Sequence, residues 1–181
     1  EARLLDGAGA PGEPQDLEEL SEVLTDARER GLIDTDVFAM LEGVLQVSEI
    51  QVRDVMVPRS QMVVIQRDEP PDRILPVVVE SGHSRFPVVG EDRDEVAGIL
   101  LAKDLLRYFA DGGEGQFDIR ECLRPAIFIP ESKRLNVLLK EFRVSHNHMA
   151  IVVDEYGGVS GLLTIEDVLE QIVGDIGDEY D

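Results

Sequence analysis

Tryptophan is absent from this sequence of 181 residues, and cysteine occurs once, at Cys122. A single cysteine excludes an intramolecular disulfide framework and indicates a reducing compartment. Positive charge is also scarce, because 17 Lys and Arg face 38 Asp and Glu and leave a formal net charge of -21 at pH 7. A nucleic-acid phosphate backbone requires clustered basic residues, so we predict no nucleic-acid partner.

Long apolar runs are missing as well. No stretch reaches the roughly 20 apolar residues of a membrane helix, and the acidic first residues lack the apolar segment of a signal peptide. Hydrophobic residues nevertheless make up 43% of the chain, which suits an ordinary core rich in Val, Leu and Ile. We therefore expect a soluble, cytoplasmic protein.

The basic residues that are present are unevenly placed. Fourteen of the 17 lie within residues 51–143, and none follows Arg143. Because positive charge attracts anionic ligands, we predict that a phosphate-bearing ligand would use this middle segment.

The first 50 residues have a composition and spacing of their own. Residues 1–15 include the string AGAPGEP and are predicted to form a flexible arm. Apolar residues then recur at helical spacing, with Asp16 as a candidate N-cap and Gly31 as a stop, and a second helix follows Asp34. We expect this helical lead-in, residues 16–50, to pack on the rest of the chain, because two short helices bury little surface alone.

A tandem duplication occupies the rest of the sequence. Three blocks recur in the same order: VRDVMVP (52–58) as IRECLRP (119–125), HSRFPVV (83–89) as HNHMAIV (146–152), and GILLAKDLL (98–106) as GLLTIEDVL (161–169). The offset is 67 residues for the first block and 63 for the other two. This internal repeat predicts one unit over 51–110 and another over 117–175, followed by an acidic tail at 176–181.

Each unit has the same predicted order of elements, β-α-β-β-α. A short apolar strand (62–65 or 127–129) precedes a helix, an acidic turn separates two further strands, and a last helix begins at Asp104 or Asp167. The predicted fold class is α+β, with two units related by a pseudo-twofold axis, their sheets packed together, and a helical segment in front.

The twin blocks GILLAKDLL and GLLTIEDVL resemble the ribose-binding pattern of cystathionine-β-synthase (CBS) domains, Gly-h-h-Thr/Ser-x-x-Asp, in which h is apolar. Residues 161–167 match it fully, whereas residues 98–104 have Leu101 in place of the hydroxyl residue. The chain is therefore similar to a tandem CBS pair over about two thirds of its length.

Four longer segments of the sequence resemble one particular family of CBS-domain proteins. RDVMVPRSQM, ESGHSRFPVV, PESKRLNVLLKEFR and HMAIVVDEYGGVSGLLTIEDVLEQIVGDIGDEYD are similar to the CorC family, described as magnesium and cobalt efflux proteins. The resemblance implies a regulatory module that binds an adenine nucleotide (AMP, ADP or ATP) and modulates divalent cation transport. It also implies a homodimer, a membrane transport partner, and a transporter-associated domain following Asp181. Because residues 144–181 contain no Lys or Arg, we expect Mg²⁺ to screen the extra phosphates of ATP.

The nucleotide is expected at the Thr164–Asp167 end of the second unit. At a strand-to-helix junction these side chains can meet ribose and phosphate, and the helix N-terminus favours anions; the plain alternative is an ordinary capping pair. The resemblance implies further site residues: Val57, Pro58, Met62 and Val63 as adenine walls, His83, Ser84 and Met149 around the base, Arg59, Arg85 and Lys103 for phosphates, and Ile165 and Glu166 as further nucleotide-binding residues. Core packing and solvated surface charge are the competing roles for the methionines and the basic residues.

A second pocket around Asp104 is predicted to be weaker, because Leu101 removes the hydroxyl. Its residues are Lys103, Asp104, Ile127, His146 and Asn147. His146 and His148 could share a strand face, but no third ligand joins them, so we predict no metal site from the protein alone. Cys122 matches Val55 in the repeat and is predicted to be a buried apolar substitute.

These features are compatible with three different functions. The favoured one is a regulatory nucleotide-binding module without catalytic residues. An enzyme using Asp167, Asp154 and His146 as acid–base groups would turn the nucleotide over. A scaffold whose repeats serve only to dimerise would show no effect of a ligand on its stability.

Overall fold

The computed structural model describes residues 14–113 and 115–174. They divide into two compact units, one made of residues 14–49 with 169–174 and the other of Ile50–Val168. Residues 1–13 of the predicted arm and the whole predicted acidic tail lie outside the described residues.

The first unit contains two helices, α1 (Leu17–Glu29) and α2 (Thr35–Val47). Both begin where the sequence predicts, because the carboxylates of Asp16 and Asp34 each accept a hydrogen bond from the backbone N–H three residues further on. Such a bond satisfies a donor that the helix itself leaves unpaired. Gly31 follows α1 with φ +74°, a conformation that glycine adopts readily.

The second unit contains the two repeats, each of which begins with an approach segment, residues 52–58 or 119–125. The first has α3 (Val52–Val55), β1 (Val57–Pro58), a 3₁₀ turn (Arg59–Gln61), β2 (Ile65–Gln66), α4 (Pro71–Ser81), β3 (Arg85–Val89), β4 (Val96–Leu101) and α5 (Ala102–Ala110). The second has α6 (Ile119–Cys122), β5 (Ile127–Pro130), α7 (Leu135–Ser145), β6 (Met149–Val153), β7 (Val159–Thr164) and α8 (Ile165–Val173), whose last residues belong to the first unit. The order β-α-β-β-α is confirmed in both.

Strand pairing is also the same in the two repeats. The first strand pairs parallel with the second, and the second pairs antiparallel with the third. Even the register shift between Val88 and Val89 recurs between Val152 and Val153. The duplication therefore extends to local backbone irregularities.

The approach segments cross between the repeats. β1 pairs antiparallel with β7, Val57 opposite Leu162, and extends the second sheet to the order β1-β7-β6-β5. In the other half, Arg124 forms an antiparallel bridge with Ile99 of the sheet β2-β3-β4. Gly161 is required at its crossing, because a Cβ there would collide with the carbonyl oxygen of Val57. Each sheet thus takes part of its edge from the other repeat.

Two of the apolar clusters in the core of this unit show how the repeats are packed. One consists mainly of first-repeat residues, including Phe86, Leu100 and Leu105, all fully buried, and also contains Ile119 of the second repeat. The other joins the repeats and comprises Met62, Ile99, Met149, Ile151, Val159 and Leu162. Because the second cluster draws on strands of both sheets, it confirms that the sheets pack together.

Two predicted boundaries differ from the structure. The first strand of the first repeat is limited to Ile65–Gln66 rather than residues 62–65. The last helices, α5 and α8, begin two residues before Asp104 and Asp167, because the strands end directly in Leu101 and Thr164. Of the helices in the described parts of the chain, none is long and apolar enough to cross a membrane.

Candidate functional site

The junction between β7 and α8 holds Thr164 and Asp167 in a reciprocal pair of hydrogen bonds. The Thr164 N–H donates to Asp167 Oδ2 at 2.9 Å, and the Asp167 N–H donates to Thr164 Oγ1 at 3.2 Å. This arrangement is a capping box, which fixes both side chains at the start of the helix. The other carboxylate oxygen, Oδ1, accepts no hydrogen bond from the described residues, so the cap leaves an acceptor available.

A cavity of about 330 Å³ opens beside this junction. Its size lies at the lower end of the range typical of small-molecule sites, about 300–1,000 Å³. The lining residues come from both repeats: Val57, Gln61, Met62, Val63, Gly82, His83, Ser84, Arg85, Met149, Leu162, Thr164, Glu166 and Asp167.

The cavity brings together ten of the fourteen residues that the sequence analysis associates with the main site. Pro58, Arg59, Lys103 and Ile165 do not line it. Pro58 follows Val57 on a strand, where successive side chains point to opposite faces. Gln61, Gly82 and Leu162 line the cavity without having been predicted; Leu162 lies inside the recognised Gly-h-h-Thr motif, which could have indicated it.

Arg59, a predicted phosphate ligand, is engaged elsewhere. Its Nη1 lies 2.6 Å from Asp94 Oδ1 and 3.4 Å from the carbonyl oxygen of Val159. The same Asp94 oxygen accepts the Val159 N–H at 2.8 Å. The ion pair lies within the first repeat. Its hydrogen bonds to Val159, at the opposite end of β7 from Thr164, connect it to the second repeat away from the cavity.

The charges that line the cavity are few and mostly negative. Arg85 is the one cationic side chain among its described lining residues, and its Nη1 lies 3.8 Å from Glu166 Oε1. Glu166 and Asp167 supply two carboxylates. A polyanion at this site would therefore meet one guanidinium and two negative groups.

Of the residues predicted for the weaker pocket, only Ile127 lines one of the two cavities described here. Asp104 is 11% exposed and forms an ion pair with Arg124, at 3.6 Å between Oδ2 and Nη2. Lys103 and His146 are exposed, Asn147 is half-buried, and His146 has a left-handed backbone with φ 57°. Ile127 lines a different groove of about 620 Å³ between β5 and α7.

Cys122 packs, partly buried, against the apolar core of the first repeat. Burial raises the pKa of its thiol above the ordinary value, and the negative charge of Asp104 raises it further, whereas Arg124 lowers it. The thiol therefore stays protonated near neutral pH, which disfavours a nucleophilic role. Within residues 14–113 and 115–174, no group of three or more His, Cys, Asp or Glu could hold a metal ion.

Comparison with known proteins gives a consistent assignment. The model for the CBS domain matches residues 52–111 and 118–174, and a model for the N-terminal region of NMB0537 matches residues 12–47. The magnesium and cobalt efflux protein CorC of Vibrio cholerae serotype O1 is 56% identical over 170 residues, or 94% of this chain. The chain spans 58% of the length of that relative.

Solved structures agree. The CBS domain of a bacterial CNNM/CorC family Mg²⁺ transporter in complex with ATP is 40% identical, with a TM-score of 0.71 over 76% of this chain and 97% of that one. A CBS-domain pair with bound AMP from Klebsiella pneumoniae is 29% identical, with a TM-score of 0.58 over 69% of this chain and 99% of that one. With two matched CBS repeats, a shared fold and this degree of identity, the chain belongs to the CBS-domain family, as a tandem CBS pair of the CorC type.

Proposed function

We propose that this CBS pair is a regulatory module that binds an adenine nucleotide in the cavity beside Thr164 and Asp167. The observation that carries the proposal is the free Oδ1 of a carboxylate whose other oxygen is fixed by the capping box. A carboxylate held in this way accepts ribose hydroxyls, while the apolar side chains of Val57, Met62 and Val63 offer walls for a base. The ATP and AMP complexes of the two related structures support the same ligand class.

The phosphates would lie towards Arg85. Since Glu166 and Asp167 face the same cavity, each added phosphate increases repulsion that one guanidinium does not cancel. A divalent cation that binds phosphate oxygens would relieve this repulsion. We therefore expect Mg²⁺ to accompany ATP and to matter less for AMP.

Regulation would follow from the position of the cavity between the repeats. Val57 to Arg85 belong to the first repeat, and Met149 to Asp167 to the second. A nucleotide that binds one packing of the repeats better than another shifts the population of that packing. In the cytoplasm, a homodimer of this module would transmit the shift to a membrane partner that transports magnesium or cobalt.

Isothermal titration with adenosine, AMP, ADP and ATP, each with Mg²⁺ and with a chelator, tests the proposal. We expect the adenine nucleotides to bind with one site per chain, and Asp167→Ala to weaken them. The absence of heat and of any shift in unfolding temperature with all four compounds would refute nucleotide binding. Chromatography of the nucleotide after prolonged incubation distinguishes a sensor, which returns it intact, from an enzyme.

The alternative is a dimerisation scaffold that senses no ligand. Large apolar side chains remain exposed on the helices of both repeats, with Val79 at 67% and Val144 at 74%. The scaffold predicts a dimer in light scattering whose stability is indifferent to nucleotide, whereas the regulatory module predicts a nucleotide-dependent stability.

A further inference from the structure

The two crossings of the approach segments have the same antiparallel backbone pairing, but the side chains at equivalent positions differ. Val57 is opposite Leu162 at one crossing, and Arg124 is opposite Ile99 at the other. The 67-residue and 63-residue offsets of the repeat relate Val57 to Arg124 and Leu162 to Ile99. The second crossing is also close, because a Cβ on Gly98 would lie 2.8 Å from the carbonyl oxygen of Arg124.

At the first crossing, a small apolar side chain leaves space. Val57 lines the cavity, and Asp167 is tied to Thr164 rather than to a charged partner. The carboxylate is thus oriented by its own helix, and no basic side chain of the described residues forms an ion pair with it.

At the second crossing, the equivalent carboxylate has a charged neighbour in place of that cap. Leu101 precedes α5 and offers no side-chain cap. Arg124 Nη2 lies 3.6 Å from Asp104 Oδ2, an oxygen that is buried and accepts no hydrogen bond from the described residues. Cys122 lies close enough for both charges to act on the pKa of its thiol, in opposite directions.

We propose that Arg124 occupies the second ribose position from within the chain and thereby excludes adenine nucleotides from the Asp104 site. This inference rests on the proposed function of the Asp167 site. To reach Asp104, a ribose must displace the guanidinium that compensates a nearly buried carboxylate. An uncompensated buried charge is strongly unfavourable, so the displacement opposes binding. The chain would then take one nucleotide, although its backbone provides two equivalent crossings.

The test gives the Asp104 site two side chains of the Asp167 site. Arg124→Val with Leu101→Thr gives the Asp104 site the side chains found at Val57 and Thr164. Titration with AMP measures the number of sites without the complication of Mg²⁺. We expect one AMP per chain for the wild type and two for the double variant. Adding Asp104→Ala to the double variant should restore one.

Arg120→Val is the matched control, because Arg120 is an exposed basic residue of the same approach segment. It removes the same charge and should leave one site. If the double variant binds one AMP while its unfolding transition remains cooperative, the inference is wrong and the proposed function survives. If the wild type binds no AMP, both fail.

If the double variant does not fold, the inference can still be tested in a chain that keeps Arg124 and Leu101. In Asp167→Ala, which retains Arg124, the remaining affinity for AMP should be unchanged when Asp104→Ala is added. A second site that is lost on adding Asp104→Ala would show that Arg124 admits a nucleotide, as a guanidinium that binds phosphate would. That result would overturn the inference.

Discussion

Substitution of Asp167 tests the main site most directly, because its two carboxylate oxygens have separable tasks. Oδ2 accepts the Thr164 N–H at 2.9 Å, and loss of such a cap costs about 1 kcal/mol of unfolding free energy. Oδ1 is the proposed acceptor for ribose. A hydrogen bond to a charged group contributes about 1.5–3 kcal/mol, so Asp167→Ala should lower nucleotide affinity about ten- to hundredfold.

Asp167→Asn separates the two tasks. The amide oxygen can still accept the Thr164 N–H, so the unfolding free energy should stay within about 0.5 kcal/mol of the wild type. A neutral acceptor contributes only about 0.5–1.5 kcal/mol to the ribose contact. The asparagine variant should therefore be nearly as stable as the wild type and bind the nucleotide more weakly.

The assay pairs titration calorimetry with denaturant unfolding of each variant in the absence of nucleotide. Asp104→Ala is the control at the equivalent position of the first repeat. Asp104 lies outside the cavity lining. Its substitution should change nucleotide affinity by no more than about twofold, because sites that share no partners usually affect one another by at most about 0.5 kcal/mol. Equal losses of affinity in Asp167→Ala and Asp104→Ala would refute the assignment of the ribose to one repeat. An asparagine variant with full affinity would refute the role of the charge.

Three further predictions concern the crossing, the thiol and the cation. Gly161→Ala should force β1 away from β7, because its Cβ would collide with the Val57 carbonyl oxygen; we expect lower stability and loss of nucleotide binding, and wild-type values for both would contradict the close crossing. Asp104→Asn should lower the raised pKa of Cys122, because it removes a negative charge that disfavours the thiolate. The thiol should then be alkylated faster at about pH 8. The alkylation rate measured as a function of pH checks this, and an unchanged or slower rate would contradict it. Mg²⁺ should strengthen ATP binding more than AMP binding, and titrations of ATP that are identical with Mg²⁺ and with a chelator would exclude the role of charge repulsion.

The fold was largely predictable because the duplication is visible in the sequence. Blocks repeated in order locate two copies of the same element pattern, and Gly98 and Gly161 mark the same point in each. The boundaries of individual helices and strands were harder to predict. A four-residue apolar run at 62–65 fits a strand, but Met62 and Val63 line a cavity instead of pairing in a sheet, and periodicity cannot distinguish these fates.

The residues of the candidate site were likewise predictable only in part. Thr164 and Asp167 were predictable because a local motif and a helix start coincide. The engagement of Arg59 was not, because its partner Asp94 is 35 residues away and only the tertiary fold brings them together. The contact of Arg124 with Asp104 likewise depends on the register between residues 99 and 124, which no local pattern specifies.

The crossing of the approach segments has a consequence for symmetry. Two separate, identical copies related by a true twofold axis must present the same residue at both crossings. Joining the copies in one polypeptide removes that requirement while the hydrogen-bonded geometry can stay alike at both positions. Two identical, separate copies could not present valine at one crossing and arginine at the other, as this chain does at Val57 and Arg124. The linker between the repeats thus does more than tether them: it permits a pseudosymmetric backbone to carry two chemically unlike halves.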